Sequence, residues 1–284
     1  FLARWRQRFG AEAADRLQVH TKFVPDLDTL SSLSAAEVER AIDRSRARLG
    51  VARLDLVQFH WWDYDVDRYV EIAERLAALQ ADGRIRLLGA TNFSTAALAR
   101  MLDAAVRIAT HQVQYSVLDR RPERGMADLC RRHGTALLCY GALAGGFISE
   151  KYLGRAAPLE PLANRSLVKY RLIIDEFGGW DRFQAVLRAL ATVAERRETD
   201  IPTVALRWVL DRPGVAAVIV GAAGAMRLQA LEAVGRCVLD QEDLDRIDRA
   251  CHDAPGPGGD VYEIERVKGG RHAAVMRYDL NARP

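Results

Sequence analysis

Five places along the chain end an apolar run with a side chain that can hold a ligand or move a proton: Lys22, His60, Thr91 with Asn92, Gln112 and Tyr140. The clearest is the run from Leu54 to Phe59, which is followed directly by His60. An amine, an imidazole, a hydroxyl, two amides and a phenol are groups for hydrogen bonding and acid–base work. Taken singly they mean little. A histidine after an apolar strand is more often a hydrogen-bonded structural residue than a catalyst, and a lysine or glutamine at a strand end is usually surface. The set, one or two per strand in consecutive units, is hard to read as chance, because the C-terminal strand ends of a parallel barrel converge on one mouth.

The elements that would carry these residues are legible as alternating strands and helices. Ser34-Ala35-Ala36-Glu37 is a capping box that opens a helix ending near Leu49, and Gly50 suits the left-handed position that stops it. The run ending in His60 predicts a buried parallel strand, and the next helix spans about Arg68 to Ala81. Further strands are expected at Leu17–Phe23, Ile85–Asn92, Ile108–Tyr115, Ala136–Tyr140 and Val215–Gly221. Ser94 suits a helix cap, and helices are also expected from about Glu123 to His133, over Phe183–Arg197, after Pro202, after Gly224 and over Gln241–Cys251. Phe1 to Gly10 reads as the end of a helix with its stop glycine. Between Gly141 and Trp180 the rhythm breaks on glycines and prolines, although Ser166–Phe177 can contain a helical turn or two; so long a segment suits a binding loop or lid. The tail from Pro255, rich in glycine and proline and then charged, is expected over the surface. The domain reading is therefore 1–254 as a βα domain, incomplete at its N-terminus, and 255–284 as a tail packed on it or flexible.

Six βα units leave two architectures, a (β/α)8 barrel without its first two strands or an open doubly wound sheet. No GxGxxG follows a strand, which weighs against the second. The 284 residues carry 41 Lys and Arg against 38 Asp and Glu, spread along the chain, so the net +3 is no nucleic-acid footprint. Arg120-Arg121 and Arg196-Arg197 read as solvated helix ends. Cys130, Cys139, Cys237 and Cys251 have no metal-ligand spacing and suit a reducing, cytoplasmic compartment. No metal site, membrane span or signal peptide is expected.

Thr21-Lys22, Asp55-Leu56 with His60, Gly89-Ala90-Thr91-Asn92-Phe93, Gln112-Val113-Gln114-Tyr115, Tyr140 with Gly145-Gly146, and Val218-Ile219-Val220-Gly221 form an ordered series. That series resembles the motifs of the aldo-keto reductases over about residues 1 to 252. Asn164–Gln184 is similar to a branch with a long loop after the seventh strand. The resemblance implies a (β/α)8 TIM barrel that binds an extended nicotinamide dinucleotide and reduces aldehydes or ketones to alcohols. It implies that Lys22 lowers the pKa of a catalytic tyrosine and that His60 hydrogen-bonds the substrate carbonyl. Thr91, Asn92 and Gln112 match the positions holding the carboxamide, and Tyr140 matches the ring stacked on the nicotinamide. Gly221 and Arg227 fall in the loop expected to meet the adenosine phosphate.

Two departures stand out. The family's catalytic Asp and Tyr belong to a βα unit that would precede Phe1, so the chain as given is expected to lack its proton donor. The adenosine loop has Ala222, Ala223 and Leu231 where relatives place basic, hydroxyl and Asn residues, leaving Arg227 for a 2′-phosphate; NADP(H) is preferred to NAD(H) on that residue. Trp61 and Trp62 are expected as an aromatic wall of the substrate pocket. For Tyr64 the same role and plain loop packing both stand. The alternative to a carbonyl reductase is a nucleotide-binding regulatory subunit without turnover.

Overall fold

Each strand is short and apolar on the side that meets the helices, so burial selects parallel βα units. The computed structural model describes residues 3, 4, 8, 17–221, 225–254, 256–278 and 281, with backbone alone for 225–230. The expected helix end at Phe1–Gly10 and the loop residues 222–224 lie outside the described residues. Two compact units are present: 1–112 with 133–135 and 277–284, and 113–132 with 136–276.

The first unit contains β1 (His20–Phe23), α1 (Ala35–Leu49), β2 (Leu54–Phe59), α2 (Tyr69–Ala81), β3 (Ile85–Thr91), α3 (Thr95–Asp103) and the start of β4 (Thr110–Gln114). Its strands pair in parallel and in chain order, without the reversal that a doubly wound sheet requires. One face is the core: Phe23, Val57, Phe59, Leu88 and Ala90 are buried with Ile42, Ile72, Leu76 and Leu98 of the helices. The Phe59 ring lies 6.0 Å from Phe23 and 5.3 Å from Phe93. Burying each such ring is worth about 1.5–3 kcal/mol. The capping box at Ser34 is present in both directions, and Gly50 closes α1 at φ 65°. Asp55 accepts the Val19 amide at 2.9 Å and ties β1 to its neighbour.

The second unit holds the end of β4, α4 (Met126–Arg132), β5 (Ala136–Tyr140), α5 (Arg165–Glu176), α6 (Trp180–Arg196), α7 (Ile201–Leu210), β6 (Val215–Ile219), α8 (Ala225–Arg236) and α9 (Gln241–Cys251). The Tyr115 amide donates to the Tyr140 carbonyl at 3.0 Å, and β5 runs parallel to β6. Three expectations change here. The segment after Tyr140 contains a three-turn helix, α5, whose first turn is capped by Asn164 accepting from the Leu167 amide at 3.0 Å. Arg121 is a buried ion-pair centre and no solvated helix end: its guanidinium reaches Asp119 at 2.7 Å and Glu265 at 2.8 Å, all three nearly inaccessible. The tail is correspondingly less superficial than its composition suggests, with Val261, Tyr262, Glu265, His272 and Ala273 buried.

Candidate active site

The register of β2, β3 and β4 decides which side chains share a face. Thr91 pairs with Gln112, Gly89 with Thr110 and Gln58, and Gln58 with Lys22. Alternation then puts His60, Thr91 and Gln112 in one row of the face opposite the core, and Lys22, Gln58 and Thr110 in the row below. The upper row is locked by hydrogen bonds. His60 Nδ1 lies 2.9 Å from the Thr91 carbonyl, which can only accept, so Nδ1 carries the proton. The neutral ring therefore presents Nε2 as an acceptor. Thr91 Oγ1 donates to the Gln112 carbonyl at 3.2 Å, and the Asn92 amide donates to the same carbonyl at 2.9 Å. Asn92 sits at φ 60°, left-handed for a non-glycine residue, and Asn tolerates that better than most. The buried Gln112 Oε1 has no hydrogen-bond partner among the described residues. Such an acceptor is costly unless a ligand or water completes it.

The histidine that holds this turn is one the sequence did not mark. His111 faces the core, fully buried, and its Nε2 accepts the Phe93 amide at 3.1 Å. Burial pushes its pKa down to about 3, keeping it neutral. Lys22 keeps much of its side chain exposed, yet partial burial of the ammonium lowers its pKa. The groove of about 690 Å³ beside Lys22, between β1 and α1, does not include His60 among its lining residues.

Trp61 is fully buried, its indole donating to the Asp63 and Val66 carbonyls. Its ring is committed to the loop, so only Trp62 carries the pocket-wall expectation forward. Trp62 stands edge-on to His60 at 4.4 Å and donates to the Pro25 carbonyl at 2.8 Å. Tyr278, from the far end of the chain, lies 5.0 Å from Trp62. It is held there by its carbonyl, which accepts the Leu27 amide, and by Asn281, whose amide donates to the Val24 carbonyl at 2.8 Å. Tyr64 packs its ring on Tyr69 and Phe93 and accepts the Ser94 amide at 2.9 Å, which is the loop-packing role.

In the second unit Tyr140 ends β5, and burial raises its phenol pKa well above the usual value. The Lys169 ammonium stands 4.8 Å from the Tyr140 ring centroid. Next to it, Tyr170 lies where side chains at Gly141 and Gly145 would be: a Cβ there would come within 2.6 and 2.7 Å of its phenol. A cavity of about 460 Å³ is lined by Gly145, Gly146, Ser149, Lys151, Asn164 and Gly221, among others. Lys151 is a cation that the sequence reading passed over. The side chain of Arg227 lies outside the described residues.

A model of the aldo/keto reductase family matches residues 1–251. The chain belongs to the aldo/keto reductase family. It is 32% identical over 248 residues to the flagellar radial spoke protein 5 of Chlamydomonas reinhardtii, covering 74% of this chain and 47% of that protein. It is 25% identical over 202 residues to the NADH-specific methylglyoxal reductase of Escherichia coli (strain K12), covering 70% of this chain and 59% of that enzyme. The chain thus spans about half to three-fifths of the length of these relatives. A solved glycerol dehydrogenase from Gluconobacter oxydans superposes with a TM-score of 0.74 at 24% identity, over 91% of this chain and 78% of that one. This member of the family has a TIM-barrel-like fold with six parallel strands among its described residues. Among those residues no helix is long and apolar enough to cross a membrane, and no three His, Cys, Asp or Glu side chains cluster as metal ligands.

Proposed function

We propose that the protein is an NAD(P)H-dependent oxidoreductase that interconverts small aldehydes or ketones and their alcohols. Its six strands would be the larger part of a (β/α)8 barrel completed by two strands before β1. The observation that carries the reading is the locked His60–Thr91–Gln112 row with its buried acceptor. The orphaned Gln112 Oε1 suits the amide protons of a nicotinamide carboxamide, with Thr91 and Asn92 at the same strand ends. In the second unit, Tyr140 offers a flat ring of the kind that stacks on a nicotinamide. Ser149, Lys151 and Gly221 line a cavity suited to the phosphates, with Arg227 the candidate for a 2′-phosphate and hence for NADP(H). When bound, the reduced cofactor supplies a hydride.

The chain's own residues then divide the remaining work. His60 Nε2, an acceptor when neutral, holds the hydroxyl of an alcohol; as an imidazolium it donates to a carbonyl oxygen. Trp62 narrows the approach to His60. Lys22 favours the ionised form of a neighbouring phenol, which in this reading is a tyrosine on a segment before Phe1. Four buried free thiols accord with a reducing compartment such as the cytoplasm.

The test is reduction of 4-nitrobenzaldehyde with NADPH or NADH by a chain extended upstream of Phe1. We expect turnover that His60→Ala lowers by about 10²–10⁴-fold while cofactor affinity stays near its wild-type value. Equal turnover in His60→Ala, or loss of affinity as large as the loss of turnover, would remove His60 from the chemistry. A second reading, a non-catalytic subunit, draws on the radial spoke relative. It predicts cofactor binding without turnover of any carbonyl in the extended chain.

A further inference from the structure

The Lys169 ammonium has an unusual place. It lies over two phenol rings, 4.8 Å from the Tyr140 centroid and 5.5 Å from that of Tyr170. Lys169 is half-buried on α5, and it forms no ion pair among the described residues. The formal charges that act on it are Glu265, from the C-terminal segment, and Asp119 and Arg121, from the loop after β4. Two carboxylates and one guanidinium leave this buried cluster with one net negative charge, which keeps a cation at Lys169 favourable. The ring faces favour the charged form as well.

On the reading of Tyr140 as the platform for a nicotinamide ring, on which this step rests, we infer that Lys169 makes the site prefer the reduced cofactor over the oxidised one. The two forms share every phosphate, both riboses and the adenine. They differ at the nicotinamide, which is neutral when reduced and cationic when oxidised. A ring stacked on Tyr140 lies about 4.5–7 Å from it, centroid to centroid. The oxidised ring's charge then stands on the order of 5–10 Å from the ammonium. Like charges at that spacing, in surroundings of effective dielectric about 20 to 40, shift a binding ratio by on the order of 10-fold. Attraction of Lys169 for the phosphates is common to both forms and cancels in the ratio. Lys169 thereby tilts the site towards the carbonyl-reducing direction, by discouraging the oxidised product from staying bound.

The preference carries its own pH signature. Desolvation lowers the Lys169 pKa, Glu265 and Asp119 raise it in part, and Arg121 lowers it further. Tyr140 and Tyr170 themselves have raised pKa values, and so stay neutral while the amine titrates. The preference therefore fades at a pH below that of an ordinary lysine.

The experiment is a fluorescence titration with NADPH and, by competition, NADP+, repeated with NADH and NAD+. It uses the wild type, Lys169→Met and Lys169→Arg. We expect the ratio Kd(oxidised)/Kd(reduced) to fall by about 10-fold in Lys169→Met and to be kept in Lys169→Arg. In the wild type it should decline towards the Lys169→Met value as pH rises from about 7 to 10. A merely structural role would weaken both forms alike. Binding of both forms with an unchanged ratio in Lys169→Met overturns the inference and leaves the cofactor reading standing. If the wild type binds neither NADP(H) nor NAD(H), the cofactor reading fails and this inference with it. Should Lys169→Met not fold, a wild-type ratio that stays constant across the pH series overturns the inference.

Discussion

At the scale of single residues, the site depends on hydrogen bonds whose direction is forced by chemistry. The Thr91 carbonyl fixes the His60 proton on Nδ1, and the Phe93 amide fixes a lone pair on His111 Nε2. His111 gives a pH prediction with a definite sign. Its folded pKa, about 3, lies below the ordinary 6.5, so the unfolded chain takes up the proton first. The stability it allows is fully present above about pH 6.5 and is lost as pH falls towards 3. The loss is at most about 1.4 kcal/mol per pH unit. Urea unfolding at pH 7 and pH 5 should show this component in the wild type. His111→Gln, which keeps an acceptor for the Phe93 amide but cannot titrate, should show a shallower loss. Parallel losses in both proteins would mean that another group sets the acid limb. Most of the strand-end row was legible in the sequence, because the last residue of each apolar run is a position that can be counted. His111 was not, since it faces the core inside a strand and its polarity is hidden by alternation.

At the scale of elements, the capping box of α1 and the parallel strands follow from local pattern. The helix α5 follows from it only in part. Its sequence between Arg165 and Glu176 is charged and flanked by glycine and proline, so periodicity alone suggests a turn or two there and not the full helix. What fixes it is non-local: Tyr170 against Gly141 and Gly145, and Arg165 donating to the Val275 carbonyl. Gly141 and Gly145 have positive φ as well, so a side chain there would be strained and would also strike the Tyr170 ring. If α5 is a lid over bound cofactor, removing that ring should loosen it. Tyr170→Ala is expected to be cleaved faster than wild type or Tyr170→Phe in limited proteolysis between Gly154 and Asn164. Saturating NADPH should slow cleavage of the wild type. Equal rates in all three proteins, with or without NADPH, would count against a lid.

At the scale of the whole molecule, composition pointed to a superficial tail, and a buried ion triad gave a different answer. Arg121 and Glu265 are 144 residues apart, and no periodic signal in a single sequence links them. The triad also shows how a charged pair read as solvated can be structural. Arg121→Met would leave the Asp119 and Glu265 carboxylates buried together, at a cost of about 3–5 kcal/mol. Chemical denaturation of Arg121→Met should show that loss. The triple variant Arg121→Met, Asp119→Asn, Glu265→Gln should recover part of it, because no buried carboxylate is left charged and the half-buried Lys169 ammonium is the charge that remains. A loss under about 1 kcal/mol in the single variant would mean that the triad is hydrated and weak.

Every role proposed for the site residues requires that the chain hold a nicotinamide dinucleotide through the strand-end row. The most direct measurement is equilibrium titration of NADPH and NADH, by their own fluorescence, into the wild type and Gln112→Leu. Leucine keeps the volume and removes the acceptor meant for the carboxamide. At least one cofactor should bind the wild type saturably. Affinity should be weaker in Gln112→Leu by about 10- to 100-fold, the scale of one buried hydrogen bond left unmade. Saturable binding of equal affinity in both proteins would contradict the placement of the nicotinamide, and no binding of either cofactor to the wild type would contradict the claim itself.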